Sequence, residues 1–349
     1  MNGSSPRANS SAHGWVQTQF LPRTEGEQLV SINLIRYQQQ SEEAAWGVVS
    51  GNTVLPLPAE YSSTAEILGE GVKVARHLLA GQKKAVPVPL ESLQLLSPVT
   101  RPCKVLAQGA NFKTHLIENK MDPNRPFNVF FTKSSASVCG PTDDIVRPAN
   151  VQLLDYEVEL GIVLGKPITG PVTVTPEELG EYIGAFVIAN DVSARDVQLS
   201  ENQWYKGKSY RTFCPVGPYL TVPDPQEAAR WSELRLHLEV NGELRQNELA
   251  SDMVFGPAAT LTELSQIEDL DVGDLLITGT PGGVALKLPS AMAQRVAGLL
   301  PEARRWPLFV KSQLRTSGYL KPGDIVTAGI STADGEIDLG TQRNLVRAP

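Results

Sequence analysis

The 349-residue sequence has little of several features that would assign a protein to a class. Its three cysteines, Cys103, Cys139 and Cys214, lie far apart and form no Cys-x-x-Cys pair, which argues against a disulfide framework and a zinc knuckle. No uninterrupted apolar run reaches the roughly 18 residues that span a bilayer. The first residues, MNGSSPRANSSAHG, also lack the apolar segment of a secretory signal. We therefore expect a cytoplasmic protein with no membrane partner.

An excess of positive charge is missing as well. The formal net charge is −7, whereas a protein that neutralises nucleic-acid phosphates needs a basic face. We therefore expect no nucleic-acid partner. Apolar residues make up 41% of the chain and charged residues 20%, which is ordinary for a soluble globular protein. Nor is there a complete dinucleotide-binding fingerprint, a nucleophile elbow or a phosphate-binding lysine loop.

The pattern of residues changes along the chain. Segment 1–25 begins with a Ser-, Asn- and Gly-rich stretch and predicts a mobile tail, because such a sequence buries too little apolar surface to offset its ordering entropy. Segment 26–100 combines strand patterns with helical periodicity at Thr64–Leu79, and predicts a small N-terminal domain of α+β type. Segment 101–349 predicts a larger domain, with an insertion of some helical character at about 285–315.

Short β-branched segments separated by Gly, Pro and Asn dominate the larger domain. They predict strands at 153–164, 183–188, 234–240 and 275–278. Asn241-Gly242 is a strong hairpin signal, since both residues adopt the positive φ that a tight turn requires. The fold class expected for the whole chain is α+β, mainly β.

Three acidic residues indicate a metal site. Glu157 and Glu159 are two apart in a predicted strand, so their side chains share a face, and Asp191 follows the apolar strand that ends at Asn190. Neighbouring carboxylates repel, and a divalent cation with a preference for oxygen ligands removes that cost. Such a set favours Mg²⁺ or Mn²⁺ over zinc or copper. Taken alone, Glu-x-Glu is also typical of the solvated face of an amphipathic strand.

Other segments carry candidate proton donors and acceptors. His115 and Glu118 are three apart and would share one face of a short helix, where a carboxylate can orient an imidazole for work as a base. An ordinary surface pair is the alternative. Lys208 lies between small residues, and a lysine close to a metal can exchange protons. The Gly-rich turn after 275–278 exposes N–H groups and the Thr280 hydroxyl to an anion, although it could be a simple turn.

Together these segments resemble the fumarylacetoacetate hydrolase family. The family pattern is an acidic strand, a strand that ends in Asn-Asp-x-Ser-Ala-Arg-Asp, then Gly-Lys-Ser, then Gly-Thr-Pro. Here the corresponding stretches are DYEVELGIVLG, NDVSARDVQ, GKSY and GTPGGV, and the likeness extends from about Lys104 to Asn344. It implies a mainly β, roll-like catalytic domain, a homodimer, and a divalent cation on the positions of Glu157, Glu159 and Asp191.

The resemblance also implies roles for the remaining candidates. His115 and Glu118 match a lid dyad, and Lys208 matches a lysine near the metal. The residues expected to contact substrate oxygens are Arg195, Gln198, Thr280 and, less firmly because Ser134 replaces the proline that usually follows it, Lys133. Phe112 stands where many members have Tyr, and the insertion at 285–315 follows the Gly-Thr-Pro turn, so substrate identity stays open.

These observations lead to a working hypothesis about function. A 2-oxo or 1,3-diketo acid, such as an acylpyruvate, is held by the cation, and a water activated by His115 and Glu118 hydrolyses a C–C bond. Decarboxylation or keto-enol isomerisation of an oxo-diacid is the alternative, because neither requires attack by water. A non-catalytic binding protein is the second alternative, which the intact acidic residues argue against.

Overall fold

The computed structural model describes residues 31–39, 43–315 and 318–349. The predicted tail, 1–25, lies outside these ranges. Within them, no helix is both long enough and apolar enough to cross a bilayer.

The described residues form many short strands and a few helices, in agreement with the predicted α+β, mainly β class. The strands are β1 Ile32–Gln38, β2 Ala45–Ser50, β3 Thr53–Pro56, β4 Val88–Pro89, β5 Gln94–Leu96, β6 Val105–Gln108, β7 Phe130–Lys133, β8 Val138–Cys139, β9 Ile145–Val146, β10 Leu154–Asp155, β11 Val158–Leu164, β12 Ile183–Asn190, β13 Ser193–Ala194, β14 Cys214–Pro215, β15 Leu220–Val222, β16 Arg235–Val240, β17 Glu243–Leu249, β18 Leu275–Ile277, β19 Ile325–Ser331 and β20 Asp338–Arg347. The α-helices are α1 Thr64–Glu66, α2 Val72–Leu79, α3 Lys113–Glu118, α4 Leu179–Tyr182, α5 Arg195–Ser200, α6 Trp204–Lys208, α7 Pro225–Ala228, α8 Pro257–Leu264, α9 Ala291–Gly298 and α10 Glu302–Gln313.

Two sheets form the body of the molecule. The larger has 11 strands, ten of them in the order β4-β3-β2-β1-β15-β12-β11-β18-β6-β7, with β5 paired to β1 beside this path. The smaller has the order β17-β16-β19-β20-β9. Apolar side chains of β11 and β12 pack with those of β16 and β19 in one continuous core. The two sheets therefore face each other as packed layers.

Strand β11 explains why the sequence around the acidic residues is so apolar. All seven of its residues are buried. Leu160 and Ile162 point into the core between the sheets, whereas Val163 packs on the opposite face with side chains of β1 and β2. A strand covered on both faces needs apolar residues at consecutive positions. Glu159 is thus a carboxylate in a buried strand, and the alternative of a solvated amphipathic strand does not hold.

The N-terminal part joins the same sheet. Strand β1 pairs antiparallel with β15, so that Ile32 lies opposite Val222 and Leu34 opposite Leu220. Leu34 and Trp46 share a core with Val187 of β12. The described residues between 31 and 100 therefore form no separate sheet. The boundary expected near residue 100 marks no break in the sheet, and independent folding of 101–349 stays a prediction.

Several local predictions are confirmed. Asn241 and Gly242 have φ values of 54° and 78°, and they connect β16 to β17 as a tight hairpin. The helical pattern at Thr64–Leu79 forms α1 and α2, joined by a π-helical turn at Ile67–Gly71. The insertion contains α9 and α10, in agreement with the helical character expected at about 285–315.

Candidate metal centre and active site

Three buried carboxylates meet where β11 begins and β12 ends. The predicted strand at 153–164 is interrupted before β11, and the Glu157 N–H donates to the Asn190 side chain at 3.0 Å. The Asp191 N–H donates to the Glu157 carbonyl at 2.8 Å, which fixes these two residues side by side. Glu159 follows on β11. One ligand oxygen from each of Glu157, Glu159 and Asp191 lies within 4.8 Å of the others.

Buried cations surround the three carboxylates. Lys208, at the end of α6, donates to Glu157 and lies 2.5 Å from an Asp191 oxygen. Lys133, the last residue of β7, approaches the other Asp191 oxygen at 2.5 Å and donates to the Lys208 carbonyl. Arg195 contacts Glu157 at 2.5 Å through Nη2. Basic residues from β7, α5 and α6 therefore hold Glu157 and Asp191 in place.

The electrostatic state differs between the two glutamates. Burial disfavours the charged form of Glu157, but Arg195 and Lys208 outweigh it and hold its pKa well below the usual value. For Glu159, burial and the charges of Asp191 and Glu157 act together and raise its pKa well above the usual value. Its Oε2 accepts one bond, from the Gly279 N–H at 2.7 Å. Glu159 is thus the carboxylate with the least compensated charge.

These features fit a divalent cation. All the prospective ligand atoms are carboxylate oxygens, which hard cations prefer. They are buried and converge, and Glu159 lacks an ion-pair partner among the described residues, so an additional positive charge would stabilise the ionised form. The residues that would hold the ion are those predicted from the sequence.

Asp155 belongs to the same constellation but was not assigned a role from the sequence. Its Oδ2 accepts from Arg195 Nε at 2.8 Å and from the Leu286 N–H at 3.0 Å. Its Oδ1 accepts from the N–H groups of Tyr156 and Ala285, at 2.9 and 2.8 Å. Asp155 therefore fixes both Arg195 and the start of the insertion. The two-residue spacing that links Glu157 to Glu159 extends back to Asp155 and was the available signal.

His115 lies in the site, but the expected contact with Glu118 is not formed. Glu118 accepts from the Gly283 N–H at 2.9 Å and from Lys287 at 3.2 Å. His115 is partly buried, and its Nε2 lies 3.5 Å from the Asn119 amide. Its Nδ1 is buried and has no partner in the described part of the chain. Burial lowers the pKa of His115, so the imidazole is neutral at pH 7. Gly283 and Lys287, which bind Glu118, lie 165 and 169 positions further along the chain. The i, i+3 spacing of His115 and Glu118 could not reveal these competing partners.

The predicted substrate contacts lie in different environments. The Gln198 carbonyl accepts from Arg195 Nη1 at 3.0 Å, which leaves the Gln198 amide hydrogens as donors. Thr280 donates to the Val158 carbonyl at 2.9 Å and accepts from Gln246 at 2.8 Å, so its hydroxyl is already used. Gln246 also accepts from the Val158 N–H at 3.0 Å and had been missed, because it lies on β17, far along the chain.

A cavity of about 140 Å³ opens onto the carboxylates. Its polar walls include Gln108, His115, Asn119, Glu157, Glu159, Arg195, Gln198, Lys208 and Thr280, and its apolar walls include Met121, Phe131, Leu199, Trp204, Leu286 and Leu288. Lys133 is not part of these walls as the described residues form them, and it supports Asp191 from behind instead. Leu286 and Leu288 show that the insertion shapes the pocket.

Residues 104–347 match the family model described as the C-terminal part of fumarylacetoacetate (FAA) hydrolase. The chain belongs to the fumarylacetoacetate hydrolase family. This result confirms the resemblance, which extended over nearly the same residues.

Two relatives in the family are named for different types of enzyme. The mitochondrial oxaloacetate tautomerase Fahd2a of Rattus norvegicus is 37% identical over 247 residues, which cover 69% of this chain and 75% of the relative. The 2,4-didehydro-3-deoxy-L-rhamnonate hydrolase of Sphingomonas sp. strain SKA58 is 36% identical over 251 residues, which cover 71% of this chain and 75% of the relative. Both names are those of enzymes, and the near-equal identities do not choose between an isomerase and a hydrolase.

A solved structure agrees over nearly the whole length. The fumarylacetoacetate hydrolase of Exiguobacterium antarcticum superimposes with a TM-score of 0.69 and 30% sequence identity, covering 91% of this chain and all of that one, 100%. The expected fumarylacetoacetate hydrolase fold is therefore confirmed.

Proposed function

We propose that this member of the family is a metal-dependent tautomerase that interconverts the enol and keto forms of a small 2-oxo acid. The observation that carries the proposal is the composition of the cavity, which joins an acidic cluster, a neutral His115 and the ammonium group of Lys208. The carboxylate that would orient His115 for water activation is bonded elsewhere. Tautomerisation requires proton transfer alone, and the rat relative's name supports the same chemistry.

Glu157, Glu159 and Asp191 would hold Mg²⁺ or Mn²⁺. When bound, such an ion supplies a Lewis acid that stabilises negative charge on oxygen. The acidic residues are held for this purpose by Arg195 and Lys133, which contact Glu157 and Asp191.

The side chains of the cavity can divide the proton transfers between them. His115 is neutral because it is buried, so it can accept the proton from the carbon next to the carbonyl. Burial disfavours the charged Lys208, but Asp191 and Glu157 outweigh it and raise its pKa, so it is an ammonium group that can give a proton to the enolate oxygen. One proton leaves carbon for His115 and one reaches oxygen from Lys208; exchange with solvent then removes the extra proton from His115 and restores the one on Lys208, and the reverse steps return the ketone. Gln198 also lines the cavity, and its amide hydrogens are free to donate to a substrate oxygen, since its carbonyl is the group that accepts from Arg195.

Hydrolysis of a C–C bond in an acylpyruvate is the second candidate. It is supported by the position of His115 in the cavity wall, where a neutral imidazole could also deprotonate a water. The rhamnonate hydrolase name is consistent with it. Hydrolysis would require Glu118 to leave Gly283 and Lys287, or His115 to act without it. Decarboxylation stays a prediction that no particular contact favours.

The test uses metal-stripped protein with and without Mg²⁺ or Mn²⁺. Oxaloacetate and a panel of acylpyruvates are followed by the ultraviolet absorbance of their enols, and the products are identified by mass spectrometry. Metal-dependent enol loss with an unchanged substrate mass supports tautomerisation. Two carboxylic fragments would establish hydrolysis, and loss of CO₂ would establish decarboxylation. If the protein neither turns over a substrate nor binds a metal, the result would support the alternative that it is a non-catalytic binding protein.

Two further expectations from the sequence remain proposals. We propose that the protein acts as a homodimer and that it is cytoplasmic. The rat relative is named as a mitochondrial protein, so localisation by fluorescent tagging or fractionation is the relevant measurement.

A further inference from the structure

A second polar cavity lies away from the acidic cluster, at the junction of the N-terminal strands with the catalytic part. Its volume is about 420 Å³. Three arginines contribute to its walls: Arg36 from the middle of β1, Arg101 from the segment that precedes β6, and Arg211 from the segment after α6. Hydroxyl-bearing residues line it as well, including Ser62 and Thr100.

The arginines of this cavity have no anionic partner in the part of the chain that the structure describes. Within the described residues, no ion pair or side-chain hydrogen bond is formed by the guanidinium groups of Arg36, Arg101 and Arg211. Arg36 is half-buried, and burial together with the nearby charge of Arg101 lowers its pKa. One acid, Asp143, is also in the wall, but its Oδ2 accepts from the Gly140 N–H at 2.7 Å. Three cations thus face one carboxylate, which leaves a positive cavity.

Arg195 shows, by contrast, how a buried guanidinium group is stabilised by anionic partners. Arg195 is buried and is paired with two carboxylates, Asp155 and Glu157. Arg36 is half-buried by comparison, and Arg101 and Arg211 are exposed. The charge of Arg101 disfavours that of the half-buried Arg36, and a bound anion near both would offset this repulsion. The planar donor fork of arginine suits the oxygens of phosphates and carboxylates.

We propose that this cavity, with Arg36, Arg101 and Arg211, is an effector site for a small multivalent oxyanion such as a phosphate monoester or a dicarboxylate. The site is separate from the catalytic cavity and does not depend on the proposed function. Two of its arginines, Arg36 and Arg101, lie outside residues 104–347, which match the family model. It is therefore built where the N-terminal strands meet the family domain.

Two short segments connect the effector site with the acidic cluster. Arg211 follows Lys208 by three residues, and the chain between Lys133 and Gly140 runs from the cluster to the cavity wall. The segments are tied together by the bond from the Ser134 N–H to the Ser209 hydroxyl at 2.9 Å. An anion that draws Arg211 inward therefore acts on the segment that carries Lys208, which contacts two prospective metal ligands.

The experiment measures anion binding to Mg²⁺-loaded protein by calorimetry, with glycerol 3-phosphate and succinate as probes. The variant is the double substitution Arg101→Gln and Arg211→Gln, since both side chains are largely exposed and their removal should leave the core intact. The matched control is Arg235→Gln, an exposed arginine on β16. Wild type and control should bind at least one probe, and the double variant should bind it roughly ten-fold or more weakly, because two charged hydrogen-bonding groups are lost. A response to one probe alone distinguishes a phosphate-bearing from a carboxylate-bearing ligand.

Two results would overturn the proposal. The first is that wild type binds neither probe. The second is that the double variant binds a probe as tightly as wild type does, which is expected if the anion occupies the catalytic cavity. If wild type binds neither probe and the double variant changes the oligomeric state, the arginines belong to a contact between copies. The effector role is tested by Mn²⁺ affinity, which the anion should change several-fold in wild type and not in the double variant. An unchanged Mn²⁺ affinity would contradict that role.

Discussion

Substitution of Asp155 by Asn should destabilise the protein strongly. The carboxylate is fully buried and accepts four hydrogen bonds, from Arg195 and from the N–H groups of Tyr156, Ala285 and Leu286. Asn has nearly the same shape, but it removes the charge that faces Arg195 and turns one acceptor oxygen into a donor that meets N–H groups. Loss of one partner from a buried ion pair costs about 3–5 kcal/mol. Urea unfolding followed by circular dichroism would measure the decrease in the free energy of unfolding.

Asp144→Asn is the matched control. Asp144 pairs with Arg347 at 2.7 Å, but the two side chains are 33% and 61% exposed. Solvent screens such a pair, so its loss should cost less than about 1 kcal/mol. If Asp155→Asn is no more destabilising than Asp144→Asn, Asp155 does not anchor Arg195 and the insertion, and the reasoning is refuted.

Three further predictions concern catalysis, the buried cations and assembly. His115→Gln should lower kcat by roughly 10²–10⁴-fold, as loss of a general base does. Because burial lowers the pKa of His115 below its ordinary value of 6.5, the wild-type rate should fall as the pH drops through a midpoint below 6.5, where the imidazole becomes charged; a midpoint at or above 6.5 for this acid limb would contradict the assignment. Lys208→Met leaves Glu157 and Asp191 without a shared cation, so it should lower the free energy of unfolding of metal-free protein by about 3–5 kcal/mol. Adding Mg²⁺ should then raise the free energy of unfolding more in the variant than in wild type. An equal increase in the two proteins would contradict this prediction. Light scattering coupled to size exclusion should give twice the chain mass, and a monomer at micromolar concentration would contradict the expected homodimer.

The acidic cluster was accessible to sequence analysis because its geometry is mostly local. Glu157 and Glu159 share a side through the two-residue repeat of an extended chain, and Asp191 follows a strand whose apolar run is plain in the sequence. The antiparallel pairing of β11 with β12 then brings the three together. The hairpin at Asn241-Gly242 was predictable for a similar reason, since turn chemistry is contained in two residues.

Contacts between distant segments were not accessible in this way. Glu118 bonds to Gly283 because the Gly-rich turn is folded against α3, which no local pattern indicates. Lys133 faces Asp191 and not the cavity, although the family resemblance suggested a lysine that lines the cleft. The merging of the N-terminal strands with the large sheet depends on pairing between β1 and β15, nearly 190 residues apart, where strand patterns alone do not specify partners.

The central claim, that Glu157, Glu159 and Asp191 bind a divalent cation, is tested most directly by titrating metal-stripped protein with Mn²⁺ and following free Mn²⁺ by electron paramagnetic resonance. Glu159→Gln keeps an acceptor for the Gly279 N–H and removes one anionic ligand, and Glu243→Gln is an exposed control on β17. Wild type and control should bind one ion per chain, and Glu159→Gln should bind at least about 100-fold more weakly, since even outer-shell changes cost 10–100-fold. Failure of wild type to bind Mn²⁺, or equal affinity in Glu159→Gln, would contradict the account.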